Sequence, residues 1–161
     1  MNNRNMVVFL LIVFATLTRI FPHPPNITPI TGIALFSAMN FDNRKLVFMI
    51  PLLCMFLSDL FLGFYPISFF VYLSFFMICF MATKFKAISI KNVFLSSTLF
   101  FIVSNFGVWL IGYPKTLEGL ISCYTLAIPF FGNTFIGDLM FTGALSYSFN
   151  YINNNYLIAT K

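Results

Sequence analysis

Long apolar stretches separated by short polar ones run the length of the chain, at about residues 6 to 21, 25 to 41, 46 to 63, 66 to 83, 92 to 112 and 132 to 151. Most reach the roughly 17 to 25 residues that a helix needs to cross a bilayer. The second is marginal, with prolines at its start and Thr28, Thr31 and Gly32 inside it. It reads as a short span or as a re-entrant segment packed against protein. The pattern predicts one transmembrane domain over residues 1 to 161, an all-α bundle of six spans, with a five-span version as the alternative.

Composition names the solvent. Only 8% of the 161 residues are charged and 60% are hydrophobic, with 24 phenylalanines and a mean hydropathy of +0.92. A water-soluble surface cannot be assembled from that inventory, so the chain is expected to face lipid. The net charge of +5 comes from nine Lys and Arg residues scattered between apolar runs. They form no patch of the kind that nucleic acid requires. Arg4 precedes the first run, but no small-x-small cleavage site follows "MVVFLLIVFATL", so it reads as a retained helix and not a cleaved signal.

The same basic residues set an expected topology. With the N-terminus inside and six spans, Arg4, Arg44, Lys45, Lys84, Lys86, Lys91 and Lys161 fall on the cytoplasmic side, and Arg19 and Lys115 on the outer side. Seven against two is a strong positive-inside bias, and the five-span version, which exchanges Arg4 for Arg19, gives the same ratio. Both termini are then cytoplasmic in the six-span version. The connection at 113 to 131, "YPKTLEGLISCYTLAIPFF", is too apolar for a solvated loop and is interrupted by Pro114, Gly119 and Pro129. It is expected to be an interfacial helix among the headgroups, a lid over an outward-facing cavity, or both.

Ionisable side chains inside spans cost roughly 2.5 to 3.5 kcal/mol on insertion scales, so each needs a partner or a task. Arg19, Asp59 and Asp138 are of this kind, and the expected topology puts all three in the outer half. Asn105 and Trp109 share one helical face at the outer end of the fifth run, and Thr134, Asp138 and Thr142 share one in the sixth. His23 and Asn26 in "RIFPHPPNITPI", and Asn133, fall on the same side. The bland account is interhelical glue, with Arg19 paired to one of the aspartates and Asn105 bridging helices. The alternative is an outward-facing ligand cavity, which explains why so many polar groups gather on one side. The stretches "IPLLCMFLSDLFLG" and "IPFFGNTFIGDLMFTG" echo each other, as expected of a three-plus-three repeat with a site between the halves.

Several chemistries lack their motifs. No GxxxxGK[ST] loop is present for phosphate, no HExxH for zinc, and no GxSxG elbow for a serine nucleophile. The aspartates invite comparison with intramembrane aspartyl proteases, but Phe135 stands where the first glycine of GxGD belongs. Cys54, Cys79 and Cys123 are isolated, which excludes a disulfide framework and a CxxC metal signature. The chain is expected to be no enzyme, with no cofactor and no metal of its own.

The blocks "RIFPHPPNITPITGIALF", "SDLFLGFY", "VYLSF", "SNFGVWL", "YPKTLEGLISCY" and "IPFFGNTFIGDLMFTGAL", from Arg19 to about Tyr147, resemble a family of small, largely uncharacterised bacterial membrane proteins labelled as transport proteins. That family is similar to the substrate-binding components of energy-coupling-factor (ECF) transporters, which capture vitamins and metal ions. The resemblance implies a six-helix transmembrane bundle in the bacterial inner membrane, holding a ligand at the outer helix ends. It implies uptake of a small vitamin-like molecule, with cobalamin one candidate and Cys123 the counterpart of a cysteine that can meet the cobalt. Partners would be a membrane coupling subunit and ATPases, or none if the protein is a solitary variant. The first helix offers only Ala15 where small residues spaced four apart often dock the coupling subunit. The expected ligand set is Arg19, His23, Asn26, Asp59, Asn105, Trp109, Tyr113, Cys123, Asn133 and Asp138, with Trp109 and Tyr113 stacking on a ring. The opposing class is a non-transporting scaffold, such as a cell-envelope or shape-determining membrane subunit.

Overall fold

The computed structural model of the protein describes residues 3–22 and 24–157. Among them there are six α-helices and no strand: α1 (Asn3–Thr18), α2 (Ile30–Asn40), α3 (Arg44–Leu62), α4 (Ser68–Ala82), α5 (Ile90–Gly112) and α6 (Leu117–Ile152), followed by a π-helical turn over Asn153–Leu157. Each helix overlaps one of the six apolar runs, but α6 begins at Leu117, well before the run at 132 to 151. Their starts follow local chemistry: the side chains of Asn43, Ser89 and Thr116 accept from the backbone N–H groups of Lys45, Asn92 and Gly119 at 3.0, 3.2 and 3.1 Å. These are the oxygen-bearing residues that satisfy orphan donors at a helix start. Gly63, at φ +92°, ends α3.

Large apolar side chains point outward from every helix except α2. Phe61 is 78% exposed and Phe14, Phe69 and Ile90 are close behind, as lipid-facing residues should be. Three helices have both the length and the apolarity to cross a membrane: α3, α5 and α6 with its extension to Asn155. The other three helices are shorter, at 16, 11 and 15 residues for α1, α2 and α4. Three of the six expected spans therefore have crossing length, and the chain is a membrane protein by the character of its helices.

The short helix organises the bundle. All eight residues from Ile30 to Ser37 are buried, and α2 touches each of the other five α-helices. At about 1.5 Å per residue its 11 residues cover roughly 16 Å, half the hydrocarbon thickness. Its polar backbone ends are tolerable at that depth only because protein surrounds them. Gly32 lets it approach α6 closely: a Cβ there would lie 3.0 Å from the backbone nitrogen of Thr142 and 3.1 Å from the carbonyl carbon of Phe141.

The structure differs from the sequence reading at residues 113 to 131. Only 113 to 116 form a connection, and from Leu117 the chain is one 36-residue helix that passes through Pro129. Proline removes one backbone hydrogen bond, but in an apolar solvent a broken helix would orphan many more. Residues 117 to 131 lie along α5 instead of closing over the bundle. Tyr124 Oη donates to the carbonyl of Ile102 at 2.7 Å, and Phe101 stacks edge-on against both Tyr124 and Phe131.

Candidate functional site

Two polar clusters occupy the end of the bundle where α1 stops and α2 begins. The first is a lock. Arg19 follows the last turn of α1, and its guanidinium meets Asp59 Oδ1 of α3 at 2.7 Å. It also donates to the Met55 carbonyl at 3.2 Å and to the Ser58 hydroxyl. Met55, Ser58 and Asp59 stand at i, i+3 and i+4, so α3 presents all three acceptors on one face. Tyr72 of α4 donates its hydroxyl to the other carboxylate oxygen of Asp59 at 2.8 Å. Three helices are thereby tied through a carboxylate that is 5% exposed.

The second cluster surrounds a cavity of about 190 Å³. Its polar lining is Arg19, Asn26, Thr28, Thr31, Thr134 and Asp138, drawn from the end of α1, the 24–29 loop, α2 and α6. Val71, Phe75 and Phe100 supply an apolar wall, the two rings lying 5.2 Å apart and tilted. Asp138 is 1% exposed and accepts from the Ser97 hydroxyl of α5 at 2.6 Å, with Thr31 also hydrogen-bonded to it. No Lys or Arg pairs with it among the described residues.

The loop over the cavity is fixed by its own geometry and by α6. Asn26 adopts φ +66°, a left-handed conformation that asparagine tolerates better than other side chains. Asn133 donates its amide to the Pro25 carbonyl at 3.2 Å. Gly137 allows the backbone of Ile27 to close in, since a Cβ would lie 3.0 Å from the Ile27 Cα. Asn133 therefore positions the loop and is not part of the cavity wall.

Of the residues singled out from sequence, Arg19, Asn26 and Asp138 share the cavity, and Asp59 stands behind Arg19 as its counter-charge. Asn105, Trp109, Tyr113 and Cys123 belong to the α5–α6 hairpin and do not line it. Asn105 turns its amide back to the Phe101 carbonyl at 2.8 Å, and the Cys123 thiol donates to the Asn105 carbonyl at 3.5 Å. Trp109 donates its indole N–H to the Pro114 carbonyl at 3.0 Å, under the ammonium of Lys115. Tyr113 caps the end of α5. His23 lies outside the described residues. The aromatic wall is Phe75 and Phe100, not Trp109 and Tyr113. Thr28 and Thr31 were visible as polar interruptions of the second run, whereas Tyr72 and Ser97 carry no local signal among so many aromatics and hydroxyls. Among the described residues no group of three or more His, Cys, Asp or Glu side chains could hold a metal.

The chain belongs to a family of unknown function, DUF6580, which matches residues 1–159. That membership agrees with the resemblance to an uncharacterised family and carries no label of transport. Neither the curated proteins nor the solved structures give a match.

Proposed function

We propose that this DUF6580 protein is a membrane solute-binding and uptake component that captures a small polar molecule in the cavity between α2 and α6. One observation supports the reading above the others: a buried carboxyl, a guanidinium, an amide and three threonines from four separate segments converge on a single void. Side chains that served only as glue would be expected to fill the space between them. The shape of the void restricts the solute. At about 190 Å³ it holds the equivalent of about six waters, below the 300 to 1,000 Å³ typical of drug-sized ligands. A small vitamin-like ring with a polar substituent suits it, with Phe75 and Phe100 against the ring face and Asp138 at a donor group. Cobalamin is far larger than this void, and Cys123 stands apart from it. The resemblance to ECF substrate-binding components, with a separate coupling subunit and ATPases, belongs to the same proposal.

The scaffold reading has its own support in the Arg19–Asp59–Tyr72 lock, whose outer members are both held by the Asp59 carboxylate. Ligand-dependent stabilisation separates the two. Small carboxylate, amide and amine solutes are screened against the detergent-solubilised protein by thermal shift. A binder at 100 times its Kd stabilises by about 2.7 kcal/mol. That response should vanish in Asp138→Asn and Thr134→Val and survive in Trp109→Ala. Loss of the response in Trp109→Ala alone, with retention in the other two, would move the site to the hairpin and sink the proposal. A protein that answers to no solute supports the scaffold.

A further inference from the structure

The class of solute that suits the cavity follows from a count of its charges and hydrogens. Arg19 and Asp59 meet at 2.7 Å and offset each other, so Asp138 is the charge in the lining that has no counter-ion among the described residues. The elements packed around it bring none. No ionisable side chain occurs in α2, α5 has only Lys91 in its first turn, and α6 has no other between Tyr124 and Tyr147. Tyr72 of α4 is committed to Asp59. At 1% exposure Asp138 cannot stay ionised without a partner, so in the empty cavity it holds a proton. A solute that carries positive charge would take over that task.

Hydrogen-bond capacity points the same way. A carboxylate only accepts, so the hydroxyls of Ser97 and Thr31 both spend their hydrogens on Asp138 when it is ionised. The Thr134 hydroxyl spends its hydrogen on the Phe130 carbonyl at 2.9 Å. Thr31, Thr134 and Asp138 are all buried, all line the cavity, and have only oxygen lone pairs left to offer. The matching group must bring hydrogens and no lone pair of its own. A primary ammonium does so, with three N–H donors and no acceptor. A carboxylate would set its own charge beside Asp138, and a hydroxyl supplies a single hydrogen.

The apolar lining separates an organic cation from an inorganic one. A hard inorganic cation takes oxygen ligands in nearly every direction. Here Ile30, Val71, Phe75 and Phe100 contribute hydrocarbon, which suits the body of an amine, and aromatic faces attract its charge.

We propose that the captured solute is a small primary amine, bound as its ammonium. Its charge pairs with Asp138, its N–H groups are shared among Asp138, Thr31 and Thr134, and its apolar body lies against Phe75 and Phe100. As the ammonium enters, the O–H bond of Asp138 breaks, its electron pair stays on the carboxylate, and the proton leaves to water. The net charge buried in the bundle is then unchanged. This inference rests on the capture reading and narrows it to one chemical class.

The test is a thermal shift on the detergent-solubilised full chain at constant ionic strength. The probes are benzylamine, benzyl alcohol and benzoate, which share a frame and differ in charge, together with butylamine, butanol and butyrate. Both amines should raise the melting temperature, benzylamine more than butylamine because its ring can stack on Phe75 and Phe100. The alcohols and carboxylates should not. Asp138→Asn should abolish the amine response. Thr134→Val keeps the side-chain shape, removes one acceptor, and should weaken amine binding about 10- to 100-fold. Trp109→Ala, outside the cavity, should leave the response as it is. If Asp138→Asn shows no unfolding transition of its own, Thr134→Val decides. Stabilisation by benzoate or benzyl alcohol without the amines would overturn the amine and leave capture standing. An amine response that survives Asp138→Asn, one unmoved by Thr134→Val, or an equal response to sodium chloride would also overturn it. Silence toward all of these probes would sink the amine, and capture would fall with it only if the wider solute screen were silent too.

Discussion

Removal of the Asp59 charge should destabilise the bundle far more than removal of the whole ion pair. Asparagine at position 59 still accepts from Tyr72, but it leaves the Arg19 guanidinium facing Met55 and Ser58 without its carboxylate. The two side chains are 14% and 7% exposed, so solvent screens the pair little. Stranding one member of such a pair costs about 3 to 5 kcal/mol. At about 2 to 4 °C per kcal/mol for a chain of this size, the melting temperature should fall by roughly 6 to 20 °C. Arg19→Gln should cost a similar amount by stranding Asp59. The double variant Arg19→Met with Asp59→Leu replaces both charges by apolar groups of comparable bulk, which is often neutral. Its main loss is the Tyr72 hydrogen bond, about 1 kcal/mol. Reversible unfolding in mixed micelles, followed by circular dichroism as the denaturing detergent is raised, gives all three values. Coupling should exceed about 2 kcal/mol. Single variants that each cost under about 1 kcal/mol and add within about 0.5 kcal/mol would refute the lock and return Asp59 to the solute site.

The glycines of α2 and α6 should respond in opposite directions. Gly32→Ala drives a Cβ into the backbone of α6 and should destabilise by about 1 to 3 kcal/mol, whereas Gly132→Ala meets open space and should stabilise by up to about 1 kcal/mol, both read by the same unfolding titration. At Asn26, alanine should cost about 1 kcal/mol through its left-handed backbone, while glycine should leave stability unchanged and weaken only solute-induced stabilisation. Tyr72→Phe removes one donor from Asp59 and should cost about 1 kcal/mol without altering the solute response.

Much of the candidate site could be read along the chain, because an ionisable group inside an apolar run is a local anomaly. Arg19, Asp59 and Asp138 stood out for that reason, and their convergence on one end of the bundle follows from where each sits in its helix. The assignment of partners did not follow. Asp59 and Asp138 lie in similar stretches, each after an Ile-Pro pair, and either could have taken Arg19. The fold gives Asp59 to the arginine and leaves Asp138 to hydroxyls. Asn105 and Trp109 share a helical face as expected, but a shared face says nothing about which neighbour it meets. Here it meets the first turns of α6 and their connection.

Sequence alone determined that the helices are apolar enough for a membrane and, apart from residues 117 to 131, roughly where they lie, because hydropathy and helix-start chemistry act over a few residues at a time. Tertiary structure decided that α6 continues through Pro129, that the proline-flanked second run becomes the central helix, and that Arg19 pairs with Asp59 and not with Asp138. Those outcomes depend on the rotation of each helix about its axis and on how closely two backbones approach. Both quantities are set by all the neighbours at once and are absent from any single stretch of the chain.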